Sequence, residues 1–181
     1  MMPLIVSKPL RVLVIGAGKA GQIKLKSALR YQTDVSLMTL ASPALSMAFD
    51  GPVINADFYQ LPLAAMHDYD LIYLAIPWPK DVALQQFIAQ WAQQVLGLNK
   101  LLCVSCQPHL GNVVNPCSRQ THGFTLTLSG AQMRPRISRG LCDFLARQLS
   151  AKLDDAEHEA LTEQTFPNFP LAPLKDAHET P

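Results

Sequence analysis

The chain has 181 residues, of which 49% are hydrophobic and 16% charged, and its formal net charge is +1. That length holds one domain, or one domain and an appendage, with enough apolar material for a real core. The near-neutral balance gives no global reason to expect nucleic acid as a partner.

The opening "MMPLIVSKPLRVLVIG" is interrupted by Pro3, Lys8, Pro9 and Arg11 and shows neither a charged leader nor a small-residue cleavage site. No stretch approaches the ~18 consecutive apolar residues of a membrane helix. The expectation is a cytoplasmic protein, away from membranes, whose cysteines remain thiols.

"LRVLVIG" (10–16) is a branched aliphatic run ending in glycine, as in a strand buried on both faces. Residues 19–31 predict a helix with Ala20, Ile23, Ser27 and Ala28 towards the sheet and Lys19, Lys24, Lys26 and Arg30 in solvent. "DVSLMTL" (34–40) predicts a second strand, broken by "ASP", and a weak third strand falls near "PVINA". "YDLIYLAIP" (69–77) predicts a fourth. From 79 to 96, Leu84, Phe87, Ile88, Trp91 and Val95 recur at helical spacing, with Gly97 placed to end the helix. "KLLCVSC" (100–106) is the fifth strand. Strands alternating with helices imply a Rossmann-like, doubly wound α/β domain with a parallel sheet and right-handed crossovers.

Past Pro108 the character changes. "GFTLTLSG" (123–130) alternates apolar and polar residues, as a half-exposed antiparallel strand does. Residues 135–152 predict an amphipathic helix with Ile137, Leu141, Phe144 and Leu145 on its apolar stripe. The implied organisation is a dinucleotide-binding domain over 1–112, a small α+β segment over 113–152, and a short helix with a proline-rich, poorly ordered tail over 153–181.

"GAGKAG" (16–21) fits G-x-G-x-x-G directly after a strand and at the opening of a helix. In a dinucleotide site Gly16 makes the tight turn, Gly18 lets a pyrophosphate approach the backbone, and Gly21 permits close helix–strand packing. The phosphates then rest at the helix N-terminus beside Lys19 and Ala20. A glycine-rich turn without a ligand is the plainer alternative. The second strand ends in Leu40, Ala41 and Ser42, with neither the carboxylate that usually holds the ribose nor an arginine for a 2′-phosphate. Ser42 or backbone groups remain as ribose contacts, and NAD versus NADP stays open. Ile76 and Pro77, ending the fourth strand, complete the expected cofactor set.

Cys103 and Cys106 are spaced as half of a metal site, a redox dithiol, or two small buried side chains. A zinc site needs two more ligands, for which only Cys117, Cys142 and scattered histidines are available, so no metal is expected. Cys106 and His109 lie where an open α/β sheet places its ligands. His122 reads as solvated. Arg119, Arg134, Arg136 and Arg139 form the concentrated basic patch, which reads either as a site for carboxylates or as a solvated helix start.

Taken in order, "VLVIGAGKAGQIKLKSAL", "CVSCQP", Pro116, "TLTLSG", "RP" and "RISRGLCDFL" resemble the precorrin-2 dehydrogenase family, the N-terminal module of siroheme synthase. The resemblance covers about residues 9–150. It implies a homodimer interleaved through the segment after the Rossmann domain. The implied reaction transfers hydride from precorrin-2 to NAD, giving sirohydrochlorin, and some members also insert ferrous iron. The family's Asn-Val-Val-Asp-x-Pro places its asparagine on Cys103 and its catalytic aspartate on Cys106. Its Gly-Gly becomes Gly130-Ala131, and its Ser-Pro becomes Arg134-Pro135. The resemblance thus implies Cys106 and Ser129 as catalytic candidates, with Arg134, Arg136 and Arg139 holding a tetrapyrrole's carboxylates. His109, in the loop leaving the same strand as Cys106, is either a proton acceptor in place of the lost carboxylate or a surface histidine without a role. Because cysteine replaces the aspartate, a non-catalytic relative that binds dinucleotide or tetrapyrrole as a sensor or carrier is the second reading.

Overall fold

The computed structural model describes residues 8–31, 34–40, 45–129 and 135–154. The chain divides into two compact units, Met1–Asn115 and Pro116–Pro181. In the first unit β1 (Arg11–Ile15), α1 (Lys19–Arg30), β2 (Asp34–Thr39), β3 (Val53–Asn55), β4 (Leu71–Leu74), α2 (Val82–Gly97) and β5 (Leu101–Val104) follow one another. All neighbouring strands pair in parallel, in the order β3-β2-β1-β4-β5.

Period-two alternation divides the strand side chains between two apolar layers. Val12, Val14, Val35, Leu37, Tyr73 and Cys103 pack with Leu25 and Ala28 of α1. Leu13, Ile15, Met38, Ile72, Leu74, Leu102 and Val104 face the other way, onto Ile88, Trp91, Ala92 and Val95 of α2. Burial on both faces is why these strands read as unbroken aliphatic runs. The fold is the doubly wound α/β sheet that the strand and helix pattern implies.

Local details depart from the sequence pattern. The buried face of α1 is Gly21, Leu25 and Ala28, while Ala20 and Ile23 point outward, Ile23 with 57% of its surface exposed. Gly21 makes the closest approach and fixes the helix phase, which outweighs the hydrophobicity of Ile23. α2 begins at an Asp81 cap whose carboxylate accepts from the Ala83 and Leu84 amides at 2.7 and 3.3 Å. Its end is turned by Asn99 (φ 56°), with Gly97 still helical. The fourth and fifth strands are shorter than their apolar runs, at Leu71–Leu74 and Leu101–Val104, and lose residues at both ends.

Between β3 and β4 no long helix forms. Two short 3-10 turns, Phe58–Gln60 and Leu63–Met66, cover that part of the sheet. Phe58 meets Trp91 edge-on at 5.0 Å and Phe87 at 5.9 Å, and Met66 is fully buried. Phe87 and Trp91 thus belong to the core.

On the outer side of β5 the chain turns back. Asn112 accepts from the Leu102 amide at 2.7 Å and donates to the Lys100 carbonyl at 3.0 Å, while the Asn112 and Val113 amides donate to the Leu102 carbonyl. The unit then runs on to Asn115, three residues past the boundary the sequence suggests. The Tyr73 hydroxyl donates to Asn115 Oδ1 at 3.0 Å, and Asn115 Nδ2 donates to Ser27 Oγ at 3.3 Å.

The second unit contains β6 (Cys117–Thr121), β7 (Phe124–Leu128) and α3 (Pro135–Asp154). β6 and β7 form an antiparallel hairpin whose two-residue turn, His122 (φ 46°) and Gly123 (φ 78°), has the backbone of a type I′ turn. β6 escapes a pattern reading because "CSRQT" has no apolar alternation. Among the described side chains of α3 only Cys142 is fully buried, its thiol within 3.7 Å of the Cys117 carbonyl and 3.9 Å of that of Leu126. Ile137, Leu141, Phe144 and Leu145 share a stripe and remain 59, 44, 51 and 37% exposed. No helix of the described residues is long and apolar enough to cross a membrane.

Candidate functional site

The strand order reverses beside β1, since β2 lies on one side of it and β4 on the other. Such a switch point opens a crevice at the carboxyl ends of the strands. A cavity of about 530 Å³ lies there, within the range of small-molecule and cofactor sites. Its wall takes Ile15–Ala20 from β1 into α1, Met38–Leu40 from β2, Ala56–Tyr59 after β3, Ala75–Pro77 after β4, and Ser105 and Cys106 after β5.

The three loop glycines are glycine for different reasons. Gly16 has φ +104°, and a Cβ there would stand 2.7 Å from the Ala75 carbonyl oxygen. A Cβ on Gly21 would collide with the Gly16 carbonyl. Both positions are thus accounted for by the chain itself. Gly18 is not: its backbone is extended (φ −65°, ψ −179°), and a Cβ would have no atom within 4 Å. It caps α1 without a side-chain acceptor and lines the cavity. A bare backbone facing open space at a helix N-terminus suits a pyrophosphate that must come close to amide groups. Lys19, beside it on the wall, adds a positive charge.

Of the expected cofactor residues, Gly16, Gly18, Lys19, Ala20, Leu40, Ile76 and Pro77 meet around this one cavity. Gly21 supports the loop from beneath, and Ala41 and Ser42 lie outside the described residues. Cys106 lines the cavity, and its thiol donates to the Ile76 carbonyl at 3.5 Å. Burial raises its pKa, so near neutral pH it is a thiol, with little capacity as a base or soft ligand. Cys103 belongs to the opposite apolar layer from the one Cys106 packs on. The pair therefore does not converge on one ion or one disulfide, and both are free thiols. No group of three potential metal-binding side chains occurs among the described residues.

His109 is exposed on the 3-10 turn Pro108–Leu110 and is not part of the cavity wall. Ser129, Arg136 and Arg139 are exposed in the second unit, and His122 occupies its hairpin turn; Gly130, Ala131 and Arg134 lie outside the described residues. Arg119 is held within that unit by an ion pair to Asp143, which bond raises its pKa further.

Three wall residues escape a motif search. Asp57 caps the first 3-10 turn, its Oδ1 accepting from the Tyr59 amide at 3.0 Å. Tyr59 has its hydroxyl pKa raised by burial first and then by the negative charge of Asp57. Ser105 has a buried hydroxyl with no partner among the described residues. Only the Asp-x-Tyr capping pattern could have flagged the first two.

The model of the NAD(P)-binding family NAD_binding_7 matches residues 4–117. No curated protein matches the sequence. Among solved structures, SirC, a precorrin-2 dehydrogenase, is 14% identical with a TM-score of 0.61, over 93% of this chain and 84% of that one. UDP-N-acetylglucosamine 4-epimerase from Bacillus cereus is 12% identical over 82% of this chain and 52% of that one, with a TM-score of 0.37, too low to bear on the fold. With its glycine loop at the switch point and the family match running over residues 4–117, the chain belongs to this NAD(P)-binding family and has the fold of SirC.

Proposed function

We propose that the protein dehydrogenates precorrin-2 with NAD as the hydride acceptor, giving sirohydrochlorin, and that it works as a homodimer in the cytoplasm. The observation that carries this reading is the reach of the likeness to SirC. It covers 93% of the chain and so extends past the dinucleotide-binding unit into the hairpin and helix that follow. In the oxidation a C–H bond of the tetrapyrrole breaks, its hydride passes to the nicotinamide, and a proton leaves to solvent. The chain's own contribution is to bind and orient: Gly18 and Lys19 hold the pyrophosphate, and Ile76, Pro77, Ser105 and Cys106 border the nicotinamide end. The exposed guanidinium groups of Arg136 and Arg139 suit the substrate's carboxylates. The exposed apolar stripe of α3 supports pairing with a second copy, since a soluble monomer rarely leaves such a patch open.

The test is anaerobic incubation of purified protein with precorrin-2 and NAD, following sirohydrochlorin absorbance. Product above an enzyme-free control supports the reading, and its absence while NAD still binds refutes it. Adding ferrous iron in the same assay reads siroheme formation. A specific observation favours the second reading, a non-catalytic binder: the thiol at Cys106 stays protonated and His109 stands off the cavity wall. Activity appearing only in Cys106→Asp would identify the natural chain as that binder.

A further inference from the structure

The end of β2 lacks the acid that normally secures the adenosine ribose, yet the cavity is not without a carboxylate. We propose that Asp57, delivered by the neighbouring strand β3, holds the ribose hydroxyls of NAD and excludes the 2′-phosphate of NADP. This rests on the assignment of the cavity to a nicotinamide dinucleotide.

Register places the residue. β2 and β3 pair in parallel with Leu37 opposite Val53, Met38 opposite Ile54 and Thr39 opposite Asn55. The ladder closes with the Ala56 amide donating to the Thr39 carbonyl at 3.2 Å, and Asp57 comes next. Adjacent strands lie only about 4.8 Å apart, so a carboxylate leaving β3 here reaches the ground that an acid at the tip of β2 would occupy. The Asn55 amide, oriented to donate, ties the two exits together through the Thr39 and Leu40 carbonyls at 3.3 and 2.9 Å.

Asp57 is also held still. Oδ1 is engaged by the Tyr59 amide at 3.0 Å, and the next residue, Phe58, is wedged edge-on against Trp91 at 5.0 Å. Oδ2 has no partner among the described residues. Hydroxyl pairs are natural donors to such a preset oxygen.

The charge inventory points the same way. Among the described wall residues, Lys19 is the single cation and Asp57 the single anion. Lys19 opens α1, at the pyrophosphate position. The β2 exit, "TLASPAL" (39–45), contains no arginine, lysine or histidine. A 2′-phosphate would therefore meet a carboxylate with no compensating charge from that loop.

The experiment is calorimetric titration of NAD and NADP into wild type, Asp57→Asn and Asp57→Ser. Both replacements keep an oxygen able to cap the turn and remove the charge; a urea midpoint from tryptophan fluorescence confirms folding. Wild type should bind NAD at least about tenfold more tightly than NADP, and in both variants that ratio should collapse towards one. An unchanged ratio in folded variants overturns the role of Asp57 and leaves the cofactor assignment standing. Equal weakening of both ligands does the same, placing the carboxylate on the adenine amine. Failure of wild type to bind either dinucleotide overturns the assignment of the cavity itself.

Discussion

Gly18 and Gly21 sit three residues apart in one loop, and alanine should do opposite things at the two positions. At Gly21 a methyl group would stand 2.7 Å from the Gly16 carbonyl carbon and closer still to its oxygen, both fixed backbone atoms. The first turn of α1 must then lift off the sheet and loosen Leu25 and Ala28 in their layer. Overpacking of this kind costs about 1–3 kcal/mol, and alanine's better helix propensity returns up to roughly 1 kcal/mol. A net loss of about 1–2 kcal/mol should lower the urea midpoint by about 1 M at an m-value of 1–2 kcal/mol/M. At Gly18 the methyl meets nothing, and the backbone angles suit any residue. Losing glycine at a helix cap costs roughly 0.5–1 kcal/mol, and the stiffer unfolded chain offsets a similar amount. Stability should barely move, while NAD affinity should fall at least about tenfold because the methyl fills the phosphate's approach. Both tryptophans, Trp78 and Trp91, lie in the first unit, so fluorescence-detected urea unfolding reports on the relevant fold. Calorimetry measures the binding. If Gly18→Ala binds NAD as tightly as wild type, the phosphate-cradle reasoning is wrong.

Tyr73 offers a pH test. Burial pushes its hydroxyl pKa up to about 12, against 10 in the unfolded chain. The unfolded chain therefore loses the proton first, and this contribution to stability is intact below pH 10 and lost between about pH 10 and 12. About 2–3 kcal/mol is at stake; urea titrations at pH 9 and 11.5 should show a smaller alkaline loss in Tyr73→Phe than in wild type. Cys106 should react slowly with iodoacetamide near neutral pH, faster as pH rises, and more slowly when NAD fills the cavity; mass mapping without protection would place NAD elsewhere. Leu141→Asp with Phe144→Asp should lower the solution mass from dimer to monomer by light scattering and leave NAD affinity unchanged. Arg119→Ala should cost no more than about 1 kcal/mol, because its ion pair with Asp143 is well over a third exposed to water on the carboxylate side.

The parallel sheet and the glycine loop were legible in the sequence because burial on both faces leaves long aliphatic runs, and because strand, glycines and helix occur in sequence without interruption; the order of the strands was not, since it depends on pairings between distant segments. Other features depended on contacts between residues distant along the chain. Ile23 looks like a core residue until Gly21 sets the helix phase. β6 has almost no apolar pattern and is specified by its partner and by the His122-Gly123 turn, which was the one readable clue. The candidate site divides in the same way. Its phosphate end is written in the glycines, whereas Asp57 enters from another strand and becomes visible only through the β2–β3 register. Spacing also misleads at Cys103 and Cys106, since the strand's alternation and its exit send the two thiols to different layers.

The Asn112 bonds along β5 bear on how the protein behaves at high concentration. An edge strand with free amides and carbonyls templates further strands and seeds aggregation. Here the chain folds its own asparagine and following amide over Leu102, so this margin of the sheet offers an incoming chain few open hydrogen-bond sites. At the opposite margin β3 is only three residues long. A sheet capped on one side and cut short on the other is protected from growing into fibrils. Replacing Asn112 by alanine would remove that guard, and the first symptom should be turbidity on concentration rather than a lower unfolding midpoint.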